Sequence, residues 1–202
     1  MNTVYEAFRT TLATYPDNPF LCVPAYAKRS YHPDGVEITY AEAAEEIERL
    51  KGIYGNYGFS NGNRIAYLLE SRPDYLLHLL AANALGISCV PVNPDYLHDE
   101  MSYLLDHSDV DLVVTIEERL EDVQAAASER SRPLPVVVFE KFGGPMPRPR
   151  PAPYAGRTPD LMSEVSLLYT SGTTGRPKGC ILTNDYFLTA GRTYMELGGV
   201  AA

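Results

Sequence analysis

The sequence lacks a hydrophobic run of about 18 residues, the length that a membrane-spanning helix needs. Its first residues, MNTVYEAFRT, have no basic start followed by an apolar stretch, so we do not expect a secretory signal. Cysteine is scarce: Cys22, Cys89 and Cys180 are widely spaced, and no pair has the spacing of metal ligands or of a disulfide framework. We therefore expect a cytoplasmic protein with reduced, buried thiols. A catalytic thiol is the alternative, and no neighbouring residue favours it.

Positive charge is also in short supply. The 202 residues include 17 lysines and arginines against 26 aspartates and glutamates, which gives a net charge of −9. An acidic surface repels the phosphate backbone of nucleic acids, so we expect no nucleic-acid partner. A site for a smaller polyanion must gather local positive charge against that background. The remaining composition, 45% hydrophobic and 21% charged, is typical of a globular chain with a substantial core.

Apolar spacing divides most of the chain into helices and strands. Thr39 and Glu42 have the pattern of a capping box, in which each side chain accepts from the other residue's amide, so a helix is predicted to begin there. Pro73 and Gly86 mark the beginning and the end of another helix, over residues 74–85. We predict further helices over residues 4–12, 99–107 and 117–129, and strands over 20–26, 35–38, 64–69, 87–92, 111–115, 136–139 and 165–169.

The strands after residue 64 are apolar throughout, and most are followed by a helix. Such strands are typical of a mainly parallel sheet that helices cover on both faces, so the predicted fold class is α/β. Residues 143–160 interrupt this pattern with six prolines and three glycines, and we expect a surface connector. A proline-based docking site for a partner is the alternative. The expected division is an α/β subdomain at 1–142, the connector at 143–160, and a strand, loop and helix of the same domain at 161–202.

The segment after the last predicted strand concentrates groups that bind phosphate. Residues 170–179, TSGTTGRPKG, contain four hydroxyl side chains and three glycines, which let backbone amides approach an anion closely. Arg176 and Lys178 add two positive charges, and the segment has no acidic residue. The P-loop of NTPases is the rival interpretation, but Pro177 and Gly179 stand where that motif needs a glycine and a magnesium-binding hydroxyl. A solvent-exposed glycine-rich turn is the other alternative.

Residues 167–184, LLYTSGTTGRPKGCILTN, resemble the signature of the acyl-adenylate-forming, or AMP-binding, enzyme superfamily. This superfamily includes acyl-CoA synthetases, peptide-synthetase adenylation domains and luciferases. Weaker similarity at 38–50, 63–96 and 101–115 extends the resemblance over nearly the whole chain. The double threonine and the segment VPVNPDY are more similar to free-standing acyl-CoA synthetases than to peptide-synthetase modules. The resemblance implies a part of the family's large N-terminal domain.

The resemblance also implies a chemistry. In this family a carboxylate attacks the α-phosphate of magnesium-ATP to give an acyl-adenylate and pyrophosphate, and a thiol, often coenzyme A, then takes the acyl group. The residues that it implies for binding the β- and γ-phosphates are Thr170, Ser171, Gly172, Thr173, Thr174, Gly175 and Lys178. Fixed donors and a cation stabilise the charge of the departing pyrophosphate. Because Lys178 follows a proline in what we expect to be a flexible loop, we assign it phosphate contact and loop closure.

The other functional segments of this family have no counterpart before Ala202. They are the adenine-binding segment, a glutamate for magnesium, an aspartate for ribose, a hinge and a C-terminal domain with the adenylating lysine. We therefore expect the chain to be an N-terminal fragment of a carboxylate–CoA ligase. We expect it to be a poor catalyst alone, because it contains no catalytic residue or metal ligand of the family. A peptide-synthetase fragment, a non-catalytic nucleotide-binding module and a structural domain with a relic loop are the alternatives. The expected partners are a carboxylic acid and coenzyme A. Whether the chain forms a homodimer is left open.

A final helix is predicted over residues 185–197, with Asn184 as its N-cap. Phe187, Leu188 and Tyr194 are expected on its buried face. Asn184 stands where many members of the family have a histidine. His78 lies on the apolar face of an earlier helix, so we expect it to be a core or partly buried residue.

Overall fold

The computed structural model describes residues 1–130, 132–170 and 177–198. The chain begins with helix α1 (Val4–Thr14), an antiparallel pair of strands, β1 (Pro19–Val23) and β2 (Val36–Thr39), and helix α2 (Tyr40–Asn56). The predicted capping box of α2 is confirmed. The Thr39 hydroxyl accepts from the Glu42 amide at 3.2 Å, and the Glu42 carboxylate accepts from the Thr39 amide at 2.8 Å.

A six-stranded sheet forms the centre of the fold. Its strands are β3 (Arg64–Leu68), β4 (Ser88–Pro91), β5 (Leu112–Thr115), β6 (Val136–Val138), β7 (Glu164–Thr170) and β8 (Lys178–Thr183). Their spatial order is β6-β5-β3-β4-β7-β8; the first five run parallel, and β8 pairs antiparallel with β7 at one edge. The predicted mainly parallel α/β sheet is confirmed, whereas β8 is an addition that the sequence pattern did not predict.

Helices cover both faces of this sheet. Besides α1 and α2 they are α3 (Asp74–Ala84), α4 (His98–His107), α5 (Leu120–Ser128) and α6 (Asn184–Glu196). Because side chains alternate along a strand, Ile65 and Tyr67 of β3 join the core beneath α1, α2 and α3, while Ala66 and Leu68 join the core beneath α4 and α5. The helix predicted over 117–129 is divided, since a 3-10 turn at Glu117–Arg119 precedes α5.

The proline-rich residues 143–160 contain no helix or strand, and hydrogen bonds hold them against the rest of the chain. The Tyr57 hydroxyl donates to the Gly144 carbonyl at 2.9 Å, and the Asn63 amide group donates to the Arg150 carbonyl at 3.1 Å. The Arg150 guanidinium donates to the buried Asp111 carboxylate at 2.6 Å. The segment is therefore tethered at several points along its length. The division of the domain at this segment stays a prediction.

Two predictions about burial are wrong. Cys89 of β4 is buried, but Cys22 and Cys180 are exposed because β1 and β8 each turn residues toward solvent. Tyr194 is 64% exposed, because α6 packs mainly against α1 and β8 and leaves its last turns uncovered. The prediction for His78 is confirmed, since only 1% of it is exposed. None of the helices in the described ranges is long and apolar enough to cross a membrane.

Candidate functional site

The carboxyl edge of the sheet carries the predicted phosphate-binding segment. Strands β4 and β7 are parallel neighbours, so their carboxyl ends lie at the same edge. Strand β7 ends at Thr170 and β8 begins at Lys178, and these two residues face each other across the antiparallel pair. The described residues on either side of the predicted phosphate-binding segment therefore lie at the carboxyl edge. In open α/β sheets this is the edge at which ligands bind.

Two of the seven predicted site residues are described by the structure, and strand pairing brings them together. Thr170 and Lys178 are both exposed. The other five lie outside the described residues, and their contacts with phosphate stay a prediction: Ser171, Gly172, Thr173, Thr174 and Gly175.

Lys178 lies in a strand and not in the flexible loop that the sequence predicts. It is the first residue of β8, so the expectation that it lies in a flexible loop is wrong. Within the described part of the chain, no carboxylate oxygen lies within 4.0 Å of its ammonium group. The backbone of Lys178 is therefore fixed at the edge of the sheet, and its exposed ammonium group, on a flexible four-carbon stem, is available to an anion.

Gly179 has a packing role in the antiparallel pair of β7 and β8, which we call the β7–β8 hairpin. It faces Tyr169 across the strand pair, and a Cβ atom on it would lie 3.0 Å from Leu167 Cδ1 and 3.3 Å from Tyr169 Cζ. Contacts this short would require the Leu167 side chain or the tyrosine ring to shift by a few tenths of an ångström. We infer that this glycine makes room for the ring next to Thr170, which differs from the close approach to an anion expected of it.

Helix α4 contributes two neighbours that the sequence analysis did not single out. The Tyr103 hydroxyl donates to the Pro177 carbonyl at 3.3 Å, and His107 Nδ1 is 2.7 Å from the Tyr169 hydroxyl. The available sequence signal was their four-residue spacing, which puts both rings on one face of the helix. Both flanks of the phosphate-binding segment therefore contact α4.

Comparison with known protein families bears directly on this hairpin. The model of a family described as AMP-binding enzyme matches residues 8–200, nearly the whole chain. The chain belongs to the AMP-binding enzyme family. The resemblance drawn from residues 167–184 is thereby confirmed.

The relatives of this AMP-binding enzyme chain are longer than it is. A crotonobetaine/carnitine–CoA ligase of Salmonella paratyphi B is 27% identical over 168 residues, covering 77% of this chain and 32% of the ligase. The Mycobacterium tuberculosis fatty acyl CoA synthetase has a TM-score of 0.74 at 19% identity, covering 96% of this chain and 37% of that one. ATP-bound MatB from Rhodopseudomonas palustris has a TM-score of 0.73 at 21% identity, covering 97% of this chain and 38% of MatB. The chain thus spans about a third of the length of these relatives and shares the fold of the two structures.

Membership of the AMP-binding enzyme family implies ATP, and the described residues fit its phosphates. An exposed cation and an exposed hydroxyl lie side by side at the ligand-binding edge of the sheet. The Mg²⁺ and coenzyme A expected from the resemblance have no such support. In the part of the chain that the structure describes, no three His, Cys, Asp or Glu residues are grouped so as to hold a metal ion.

Asn184 of this AMP-binding enzyme chain is a structural residue. The prediction that it is the N-cap of α6 is wrong: Thr183 has the extended backbone of a cap, and its hydroxyl accepts from the Tyr186 amide at 3.4 Å. Asn184 is fully buried instead. Its Oδ1 accepts from the Val4 amide and from Asn83 Nδ2, each at 2.9 Å, and its Nδ2 donates to the Asp160 carbonyl at 2.8 Å. The side chain therefore joins α6 to α1 and α3.

A polar cavity lies at the opposite, amino edge of the sheet, where β3 and β7 begin. Two of its three arginines are already paired with carboxylates, and the third, Arg157, lies over the Tyr154 ring. Arg64 makes two 2.8 Å hydrogen bonds to the Glu164 carboxylate, and Arg150 bonds to Asp111 at 2.6 Å. Paired charges offer little attraction to a triphosphate, so the carboxyl edge is the better candidate for the nucleotide site of this AMP-binding enzyme chain.

Proposed function

We propose that this chain is the phosphate-binding part of an ATP-dependent carboxylate–CoA ligase. The ligase activates an organic or fatty acid as an acyl-adenylate and transfers the acyl group to coenzyme A. One observation supports the proposal above the others: Lys178 of β8 pairs with Thr170 of β7 at the carboxyl edge, and its ammonium group has no acidic partner among the described residues.

The proposed reaction begins when a carboxylate oxygen attacks the α-phosphorus of ATP. The bond from that phosphorus to the bridging oxygen of pyrophosphate breaks, and its electron pair leaves with pyrophosphate. Lys178 and the Thr170 hydroxyl, together with the predicted donors at 171–175, stabilise the charge that builds up on this leaving group. The thiol of coenzyme A then attacks the acyl carbonyl, and AMP leaves.

The proposed substrate is an organic or fatty acid that is activated for transfer to coenzyme A. The relatives named above include a crotonobetaine/carnitine–CoA ligase and a fatty acyl CoA synthetase, which supports a carboxylate–CoA ligase. The double threonine at 173–174 and the segment at 90–96 favour the same class over the second candidate, a peptide-synthetase-type adenylation domain.

Calorimetric titration with pyrophosphate tests the proposal. We expect the wild-type chain to bind pyrophosphate, and Lys178→Ala to raise the Kd about 10- to 100-fold, as the loss of a charge-assisted hydrogen bond predicts. Lys28→Ala is the matched control, since Lys28 is also an exposed lysine but lies in the connection between β1 and β2. Equal affinity of the wild type and Lys178→Ala would contradict the proposal.

A second measurement separates the ligase from a nucleotide-binding module without chemistry. Carboxylate-dependent exchange of pyrophosphate into ATP reports adenylate formation directly. We expect the isolated 202 residues to bind pyrophosphate but to exchange it poorly, and a full-length ligase with the same N-terminal sequence to exchange it rapidly. Binding without exchange in that longer protein would favour the module.

A further inference from the structure

One face of helix α4 lies against the base of the β7–β8 hairpin. Tyr103 and His107 are four residues apart on this face, and their rings stack at 5.2 Å between centroids with 27° between the planes. The two rings therefore pack against each other. Among the described residues, this pair contacts the hairpin on each side of the predicted phosphate-binding segment.

The first contact is with the strand that enters the segment. His107 Nδ1 is hydrogen-bonded to the Tyr169 hydroxyl at 2.7 Å, and the two rings meet edge to face at 5.7 Å. Burial raises the pKa of Tyr169 to about 12, so its hydroxyl keeps its proton at neutral pH. Because Tyr169 directly precedes Thr170, this contact restrains the end of the strand that carries the first predicted phosphate ligand.

The second contact is with the strand that leaves the segment. The Tyr103 hydroxyl donates to the carbonyl of Pro177 at 3.3 Å, and Pro177 directly precedes Lys178. Proline has no amide hydrogen, so this carbonyl is the one backbone hydrogen-bonding group with which Pro177 can be held. The hydrogen bond thus fixes the peptide that carries the Lys178 amide.

We propose that Tyr103 and His107 are positioning residues for phosphate binding, which hold both ends of the segment from a single turn of α4. The inference rests on the proposed function of the hairpin. Neither residue needs to touch the phosphate. By fixing Thr170 and Lys178 before an anion arrives, they reduce the ordering cost that binding would otherwise carry.

The opposite side of α4 provides a control within the same helix. The Ser102 hydroxyl donates to the Glu129 carboxylate at 2.5 Å, and His98 Nε2 lies 2.6 Å from the same carboxylate. These contacts hold α4 to the end of α5 and do not reach the hairpin. Ser102→Ala therefore removes one hydroxyl from α4 and leaves the segment's flanks unchanged.

Pyrophosphate titration of four variants tests the proposal. We expect Tyr103→Phe and His107→Leu each to raise the Kd about three- to tenfold, the effect of one neutral hydrogen bond. His107→Asn, whose side-chain amide can replace Nδ1, is expected to recover most of the affinity, and Ser102→Ala to match the wild type. Unchanged affinity in Tyr103→Phe and His107→Leu, beside a wild type that binds pyrophosphate, would overturn the positioning role.

Hydrogen exchange in the absence of any anion makes the two proposals separable. We expect the backbone amides of Lys178 and Gly179 to exchange faster in Tyr103→Phe than in the wild type and in Ser102→Ala. If these amides exchange at the same rate in all three proteins, the positioning role is wrong even where phosphate binds. If the wild type does not bind pyrophosphate at all, the proposed function of the hairpin fails and the positioning role fails with it.

Discussion

The buried imidazole of His78 leads to a prediction about stability in acid. His78 Nδ1 is 2.6 Å from the Tyr54 hydroxyl, while Nε2 is buried and has no hydrogen-bond partner among the described residues. Its ring lies 4.9 Å from that of Phe142 and 6.0 Å from that of Phe139. Burial in this apolar environment lowers the pKa of His78 from 6.5 to about 3, and the positive charge of Arg49 adds a smaller decrease. The folded chain therefore keeps this ring neutral.

The consequence for stability follows from proton linkage. Between about pH 3 and pH 6.5 the unfolded chain binds a proton at His78 and the folded chain does not. The contribution of His78 to stability is therefore complete above pH 6.5 and is lost as the pH falls through this window. With one pKa unit worth about 1.36 kcal/mol, the loss between pH 7 and pH 4.5 is on the order of 2–3 kcal/mol.

Urea unfolding of the wild type and His78→Leu at pH 7 and pH 4.5 measures this loss. The other titrating groups are common to both proteins, so the difference between their pH dependences isolates His78. We expect the free energy of unfolding to fall roughly 2–3 kcal/mol further in the wild type than in the variant. Equal pH dependence of the two proteins would refute the reasoning. If the variant does not fold, an NMR titration of the native wild type replaces the unfolding measurement. A His78 ring that protonates near pH 6 would also refute the reasoning.

Two other substitutions test the packing around the hairpin. Gly179→Ala places a Cβ 3.0 Å from Leu167 and 3.3 Å from Tyr169. We expect the free energy of unfolding in urea to fall by about 1 kcal/mol and pyrophosphate binding to weaken. A variant more stable than the wild type would contradict this reasoning. Asn184→Ala leaves the Val4 amide without its partner, so we expect a loss of about 2–4 kcal/mol in the same assay. A loss below about 1 kcal/mol would show that water replaces this side chain.

Local chemistry explains which parts of the fold were predictable. The helix at Thr39 could be located because both halves of its capping box lie within four residues of sequence. The parallel sheet could be recognised because β3 and β5 are buried on both faces and therefore read as continuous apolar runs. The family could be recognised from the residues between β7 and the start of α6. In each case the signal lies within one short segment.

The features that were missed depend on contacts between distant segments. Strand β8 is mostly exposed and follows a stretch rich in glycine and hydroxyl residues, so only its pairing with β7 reveals it as a strand. The sequence predicts a cap at Asn184 because asparagine is common there, yet its partners in α1 and α3 are about 180 and 100 residues away in sequence. The contact between Tyr103 and Pro177 spans 74 residues and has no local signature.

A crystal structure of the chain with pyrophosphate tests the central claim most directly. We predict an anion at the carboxyl edge of the sheet, in contact with the Lys178 ammonium and the Thr170 hydroxyl. An anion in the amino-edge cavity, or a Lys178 ammonium paired with a carboxylate at an empty carboxyl edge, would contradict the account.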